Sequence, residues 1–156
     1  MNDAPKAIVI GMGHPYRSDD GVGLAIVKAL RERTLPGVNV VGFHGDAAGL
    51  IEAWSEAPNV VIVDALSSGA QPGTILRVDV AQQTLPAGVF RSSTHVLSIP
   101  DAVELARVLE RLPKQLILYG IEGETFAVGE ELSSAVAAAV LPATDRITAE
   151  LASWIQ

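Results

Sequence analysis

An α/β/α sandwich, with a mainly parallel sheet between two helical layers, is the fold this sequence predicts. Strand-like and helix-like segments alternate along the chain, as they do where helices cross between parallel strands. Several strand-like runs are continuously apolar instead of alternating, the mark of strands buried on both faces. The chain is 49% hydrophobic but only 4% aromatic, so the core must be built from Val, Ile, Leu and Ala. At 156 residues, one domain spanning 1–156 is expected.

The first strand is expected at residues 7–10, running into Gly11-Met12-Gly13. After a polar loop, Val22, Ile26, Val27 and Leu30 recur at helical spacing, with Ser18, Asp19 and Asp20 where a cap and an acidic first turn belong. A second strand at residues 38–43 leads through His44-Gly45-Asp46 into a helix carrying Leu50, Ile51 and Trp54. Residues 59–64, Asn-Val-Val-Ile-Val-Asp, form the clearest central strand, closed by a carboxylate. Residues 73–80 alternate better and imply a strand with one less buried face.

Little periodicity is visible from 81 to 94, a long connection of the kind that is often functional or mobile. Ser98-Ile99-Pro100-Asp101 has the chemistry of a helix start, continued by Val103, Ala106, Leu109 and Leu112. A last strand covers residues 115–121. Residues 132–140 and 147–155 are helical around Pro142, as one kinked helix or two short ones.

Composition excludes several function classes. Without cysteine there is no disulfide, thiolate metal site or cysteine nucleophile. A net charge of −7 opposes nonspecific nucleic-acid binding, which needs an excess of Lys and Arg. No basic stretch followed by a long apolar run opens the chain, and no run approaches a membrane span, so no membrane association and a cytoplasmic location are expected. Gly11-Met12-Gly13-His14-Pro15-Tyr16 places Tyr where a dinucleotide fingerprint needs its third Gly, and no Gly-Lys-Ser/Thr follows. Asp19 and Asp20 would also repel a phosphate at the helix start. None of Ser67, Ser68, Ser92 or Ser93 lies in a Gly-x-Ser-x-Gly elbow.

The chemistry-bearing residues converge instead. Ligands of open α/β sheets bind beyond the carboxyl ends of the strands. Three segments arrive there, carrying His14, Asp19 and Asp20, then His44 and Asp46, then Asp64. His95 lies in the loop before the next long helix and can fold over the same edge. Taken singly, Asp20 reads as a helix cap, Asp64 as an acceptor for turn N–H groups, and each His as a solvated surface residue. Together, one imidazole nitrogen and two carboxylate oxygens would hold a divalent ion such as Zn²⁺ or Ni²⁺ with positions left open, and only moderately tightly.

Residues 11–23, Gly-Met-Gly-His-Pro-Tyr-Arg-Ser-Asp-Asp-Gly-Val-Gly, resemble the N-terminal signature of hydrogenase maturation endopeptidases, Gly-x-Gly-Asn followed by Asp-Asp/Glu-Gly-x-Gly. The resemblance continues at Val61-Ile62-Val63-Asp64-Ala65, Ser93-Thr94-His95, Tyr119-Gly120-Ile121-Glu122 and Gly129-Glu130-Glu131-Leu132-Ser133, in order along almost the whole chain. It implies a mixed five-stranded sheet of the phosphorylase/hydrolase-like type, with residues 74–80 antiparallel to the rest. It implies that Asp20, Asp64 and His95 are both catalytic and metal-contacting. It implies as substrate the precursor of a nickel–iron hydrogenase large subunit, which loses a C-terminal extension late in maturation. Nickel would be supplied by that precursor, zinc or cadmium being able to take its place, and a monomer is favoured.

The chain departs from the family pattern in having His14 for the usual Asn, and His44 where relatives place another polar residue, commonly Asp in one branch. Either could add a ligand or tune which precursor is accepted. Asp19 is expected to support Asp20 and the helix start. Leu66 and the loop 81–94 are expected to help accept the precursor tail. Two other readings stay open: a self-sufficient zinc-dependent peptidase, and a non-catalytic module that docks nickel or the precursor.

Overall fold

The apolar runs become strands through the middle of a sheet. The computed structural model describes residues 4–86, 88–92, 98–129 and 131–155. Among these, the strands are β1 (Ala7–Met12), β2 (Val38–Phe43), β3 (Asn59–Leu66), β4 (Ile75–Asp79) and β5 (Gln115–Glu122). The helices are α1 (Val22–Arg31), α2 (Ala47–Trp54), α3 (Ile99–Val108) and α4 (Ser134–Ala152), with a 3-10 turn at Ser18–Gly21.

The sheet order is β2-β1-β3-β5-β4. All neighbours run parallel except the β4–β5 pair, so the mixed sheet with an antiparallel edge strand is as expected. β1, β3 and β5 are buried almost throughout, which is why they read as unbroken Val/Ile/Leu runs; edge strands β2 and β4 are half-exposed. Alternate side chains feed two cores. Ile8, Ile10, Val60, Ile62, Leu116 and Leu118 pack with α2 and α3. Ala7, Val9, Val61, Val63, Ile117 and Tyr119 pack with α1 and α4 on the other face.

Because β1 lies between β2 and β3, the chain leaves it towards one side by α1 and returns on the other by α2. The carboxyl ends of β1 and β3 therefore flank a topological switch point, where a crevice opens. Two glycines shape it. A Cβ on Gly11 would come within 2.5 Å of the Gly23 carbonyl, so β1 and α1 touch backbone to backbone. Gly13 has φ +135, and a Cβ there would sit 2.0 Å from the Asp20 carbonyl. Glycine is thus what seats the Asp20 turn directly on the end of β1.

Several element bounds differ from the sequence reading, among them those of β3 and α3, and of the two readings around Pro142 the single helix is the one observed. β3 continues two residues past Asp64, because Ala65 and Leu66 still pair with Ile121 and Glu122. α3 ends at Val108, before Leu109 and Leu112, and Glu110 takes a left-handed φ of 56 just beyond it. Residues 134–152 form one helix with Pro142 inside. Pro142 has no N–H for the Ala138 carbonyl, and, two residues on, the Thr144 hydroxyl donates to the Val140 carbonyl at 2.7 Å, an i−4 bond common for threonine in helices.

Candidate active site

Asp64 projects from β3 and is completely buried. Its Oδ1 accepts from the Ala65 N–H at 2.9 Å and the Ser92 hydroxyl at 2.9 Å; its Oδ2 accepts from the Ser92 N–H at 3.0 Å. Burial pushes the carboxyl up to about 7, the bonds from Ser92 oppose that, and the nearby charge of Asp20 adds to it. Asp64 therefore exchanges its proton near neutral pH, as a general acid or base requires.

Asp20 stands in the 3-10 turn that follows the β1 loop. Neither that turn nor α1 has a side-chain cap, so the capping role does not hold for Asp20. Its Oδ2 accepts from the His14 N–H at 3.1 Å. Its Oδ1 is buried and has no hydrogen-bond partner among the described residues. A buried carboxylate oxygen with no donor is costly unless a cation, a water or a substrate group meets it. The donor chemistry of Asp20 and Asp64 thus fits a divalent ion. Among the described residues no three His, Cys, Asp or Glu side chains gather to hold one, and the expected third ligand, His95, lies outside the described residues.

Asp19 has a different task. It is fully buried and accepts from the N–H groups of Glu124, Thr125 and Ser133 at 2.7, 3.0 and 2.7 Å, and from the Ser133 hydroxyl at 2.8 Å. Burial alone would raise its pKa, but the bonds from Glu124, Ser133 and Thr125 outweigh that and hold it below the ordinary carboxylate value. Ser18, at φ 51, donates its hydroxyl to the Ala127 carbonyl and its N–H to the Gly129 carbonyl. Residues 123–129 and Ser133 are thereby laced to the turn that carries Asp20. Asp19 supports Asp20 as expected, through this segment and not through the start of α1.

Met12, Gly13, His14, Asp20, His44, Gly45, Arg91 and Ser92 line a cavity of ≈ 220 Å³, with Asp64 bonded just behind its wall through Ser92. The His14 Nδ1 accepts the Tyr16 N–H at 3.2 Å, so that nitrogen is occupied. Asp46, by contrast, caps α2 through the Gly49 N–H at 2.7 Å. Two wider clefts, of ≈ 400 Å³ beside α3 and ≈ 430 Å³ beside Trp54, have one carboxylate each in their walls, Glu104 and Glu56. The smaller cavity differs in lying at the carboxyl ends of β1 and β2 and in setting Asp20 beside His14, His44 and the Ser92 that bonds Asp64.

Sequence reasoning missed two features. Ser92 is a ligand of Asp64, and no motif marks it, because only the fold brings the loop back to β3. That return is an antiparallel bridge between Leu66 and Phe90, with the Arg91 N–H on the Ala65 carbonyl at 2.9 Å. Glu122 is the other: it is buried and takes both the N–H and the hydroxyl of Ser68. The expectation for Leu66 is corrected. It is buried against Gly120, where a Cβ would lie 2.5 Å from its side chain, so it belongs to the core and cannot receive a tail. Phe90, at the end of the loop, is likewise core.

The family model described as HycI, hydrogenase maturation protease, matches residues 24–150. The chain belongs to the hydrogenase maturation protease family. That match contains Asp64 and His95 and begins four residues after Asp20. The chain is 30% identical to the hydrogenase expression/formation protein HupD of Thiocapsa roseopersicina over 78% of its own length and 56% of HupD, so it spans just over half of that relative. It is 28% identical to the hydrogenase 2 maturation protease of Escherichia coli K12, over 94% of this chain and 90% of that protein. The solved structure of the hydrogenase maturating endopeptidase HybD from E. coli superposes with a TM-score of 0.79 at 27% identity, covering 95% of this chain and 93% of HybD. In this protease family setting, the crevice with Asp20 and Asp64 is the candidate active site.

Proposed function

We propose that this protease removes the C-terminal extension of the nickel-loaded large-subunit precursor of a nickel–iron hydrogenase, with Asp20, Asp64 and His95 meeting the nickel that the precursor brings. The observation that carries this reading is the buried Oδ1 of Asp20, which meets no donor among the described residues, near the buried Asp64 carboxyl. A metal delivered by the substrate would satisfy such a pair on docking. Membership of a peptidase family supports the hydrolytic outcome, and relatives named as maturation proteases support the substrate.

The chain's own groups supply the rest. Asp64, poised near neutrality by its burial, is suited to take a proton from water and return one to the departing amine. Ser92 and the Ala65 N–H hold its oxygens in place while it does so. Nickel in the substrate would orient the scissile segment over Asp20 and make its carbonyl more electrophilic. Tyr16 and Val128, exposed on segments joined by the Gly129 N–H to the Tyr16 carbonyl, offer apolar surface for the precursor. The described residues include no helix long and apolar enough to cross a membrane.

The deciding experiment measures the intact mass of a nickel-loaded precursor and a nickel-free one, before and after incubation with the protein. Loss of a C-terminal peptide from the loaded form alone is the expected result. Cleavage of both forms would point to a peptidase with a metal of its own, and cleavage of neither would overturn the proposal.

A further inference from the structure

Arg91 lines the same small cavity as Asp20 and Ser92 and has no ion-pair partner among the described residues. Its backbone is tied to the Ala65 carbonyl at 2.9 Å, one residue from Asp64. Its guanidinium carbon lies 4.0 Å from the centre of the Phe126 ring, a stacking distance. Phe126 is itself seated in the notch at Gly123, where a Cβ would lie 2.5 Å from the ring, and Gly123 donates to the Leu66 carbonyl at 2.9 Å. Arg91 is thus held at its backbone and at its guanidinium, on the wall of a cavity whose one carboxylate among the lining residues is Asp20. Arginine stays charged at any pH of interest, and its fork matches a carboxylate.

Hydrolysis of a peptide supplies such a group. Water adds its oxygen to the carbonyl carbon, the C–N bond breaks, and the products are a carboxylate on the new C-terminus and an ammonium on the released peptide. The carboxylate forms in a cavity whose wall already carries Asp20. Without a cation, the two negative groups would repel each other. We propose that Arg91 is a substrate-binding residue that receives the carboxylate of the new C-terminus, the group formed from the scissile carbonyl, while Phe126 fixes its guanidinium for that purpose. This rests on the protease reading above and adds to it the group that holds the acyl side of the cut.

Two synthetic peptides test it, each ending at the residue where the mature large subunit ends, one with a free carboxylate and one amidated. Binding to ¹⁵N-labelled protein is followed at the Arg91 side-chain Nε–Hε resonance. The carboxylate peptide should shift that resonance and bind about 10-fold tighter than the amide, the order expected of one charge-assisted bidentate contact. Arg91→Gln, still folded by its melting curve, should bind both peptides alike; Arg91→Lys should keep part of the preference, and Phe126→Leu should weaken it. In precursor processing, the free-carboxylate peptide should inhibit the natural chain more strongly than Arg91→Gln. A carboxylate peptide that binds no better than its amide, or a preference that survives Arg91→Gln, overturns the assignment. Failure of the natural chain to cut any precursor is a separate result and sinks the protease reading, since peptide binding is measured without cleavage.

Discussion

Ser92 donates both its backbone N–H and its hydroxyl to the carboxylate of Asp64, at 3.0 and 2.9 Å, across 28 residues of sequence. The two bonds reach different oxygens, so they fix the plane of the carboxylate as well as its position. Ser92→Ala removes one of them and leaves the Ala65 N–H on the same oxygen. We expect stability to fall by about 1 kcal/mol and precursor processing to slow by roughly tenfold. Ser92→Thr should retain most of the rate. Processing by Ser92→Ala at the natural rate would show that the hydroxyl does not orient Asp64.

Stability should depend on pH through Asp64. Its carboxyl is raised from 3.8 to about 7, mainly by burial, so the folded protein holds this proton where the unfolded chain has lost it. The contribution is fully present below 3.8, decreases through the window up to about 7, and is lost above it. Within that window the slope reaches at most about 1.4 kcal/mol per pH unit. Denaturant melts of the natural chain and Asp64→Asn at several pH values between 5 and 8 should show this slope in the former and its absence in the latter.

Replacing the proposed metal-meeting residues should separate activity from folding. Asp20→Asn disturbs one bond, to the His14 N–H, and should change stability by no more than about 1 kcal/mol. Processing should nonetheless fall by roughly 100-fold or more, the scale of a lost catalytic group. Asp64→Ala and His95→Ala are expected to abolish processing too. Normal processing by any of these variants, measured by precursor mass, would remove that residue from the assignment.

Asp19 should behave in the opposite way. Asp19→Ala leaves the N–H groups of Glu124, Thr125 and Ser133 without their acceptor and should cost about 3 kcal/mol or more. Because its pKa is held below the ordinary carboxylate value, its stabilisation is present above that value and is lost as pH falls into the acid range. Thermal melts should therefore show Asp19→Ala far less stable than Asp20→Asn at neutral pH and closer to the natural chain in acid. Equal melting temperatures for the two variants at neutral pH would contradict the division of labour between them.

The element order, the α/β class and the gathering of Asp20 and Asp64 at one edge were all readable from the chain, because hydrophobic periodicity is local and strand ends have a known place in such sheets. The observed bounds of Val38–Phe43 agree with the sequence pattern for that reason, as does the start of α3, where Ser98 accepts the Asp101 N–H and Pro100 occupies the first turn. The antiparallel edge strand and the roles expected of Asp20, Asp64 and His95 rest on the resemblance of motifs, not on periodicity. What neither could supply were relationships between distant segments. That Asp19 binds residues 105 to 114 positions away, that Ser92 completes Asp64, that Leu66 is core against Gly120, and that Arg91 is stacked on Phe126 all depend on how loops pack after the sheet has formed. By itself the sequence determined which residues could bear charge in the crevice, since that depends only on residue type and strand ends. Only the tertiary structure decided which carboxylate is bonded fully, which holds its proton to near neutrality and which keeps an oxygen open, because burial and hydrogen-bond partners are properties of packing and not of sequence spacing.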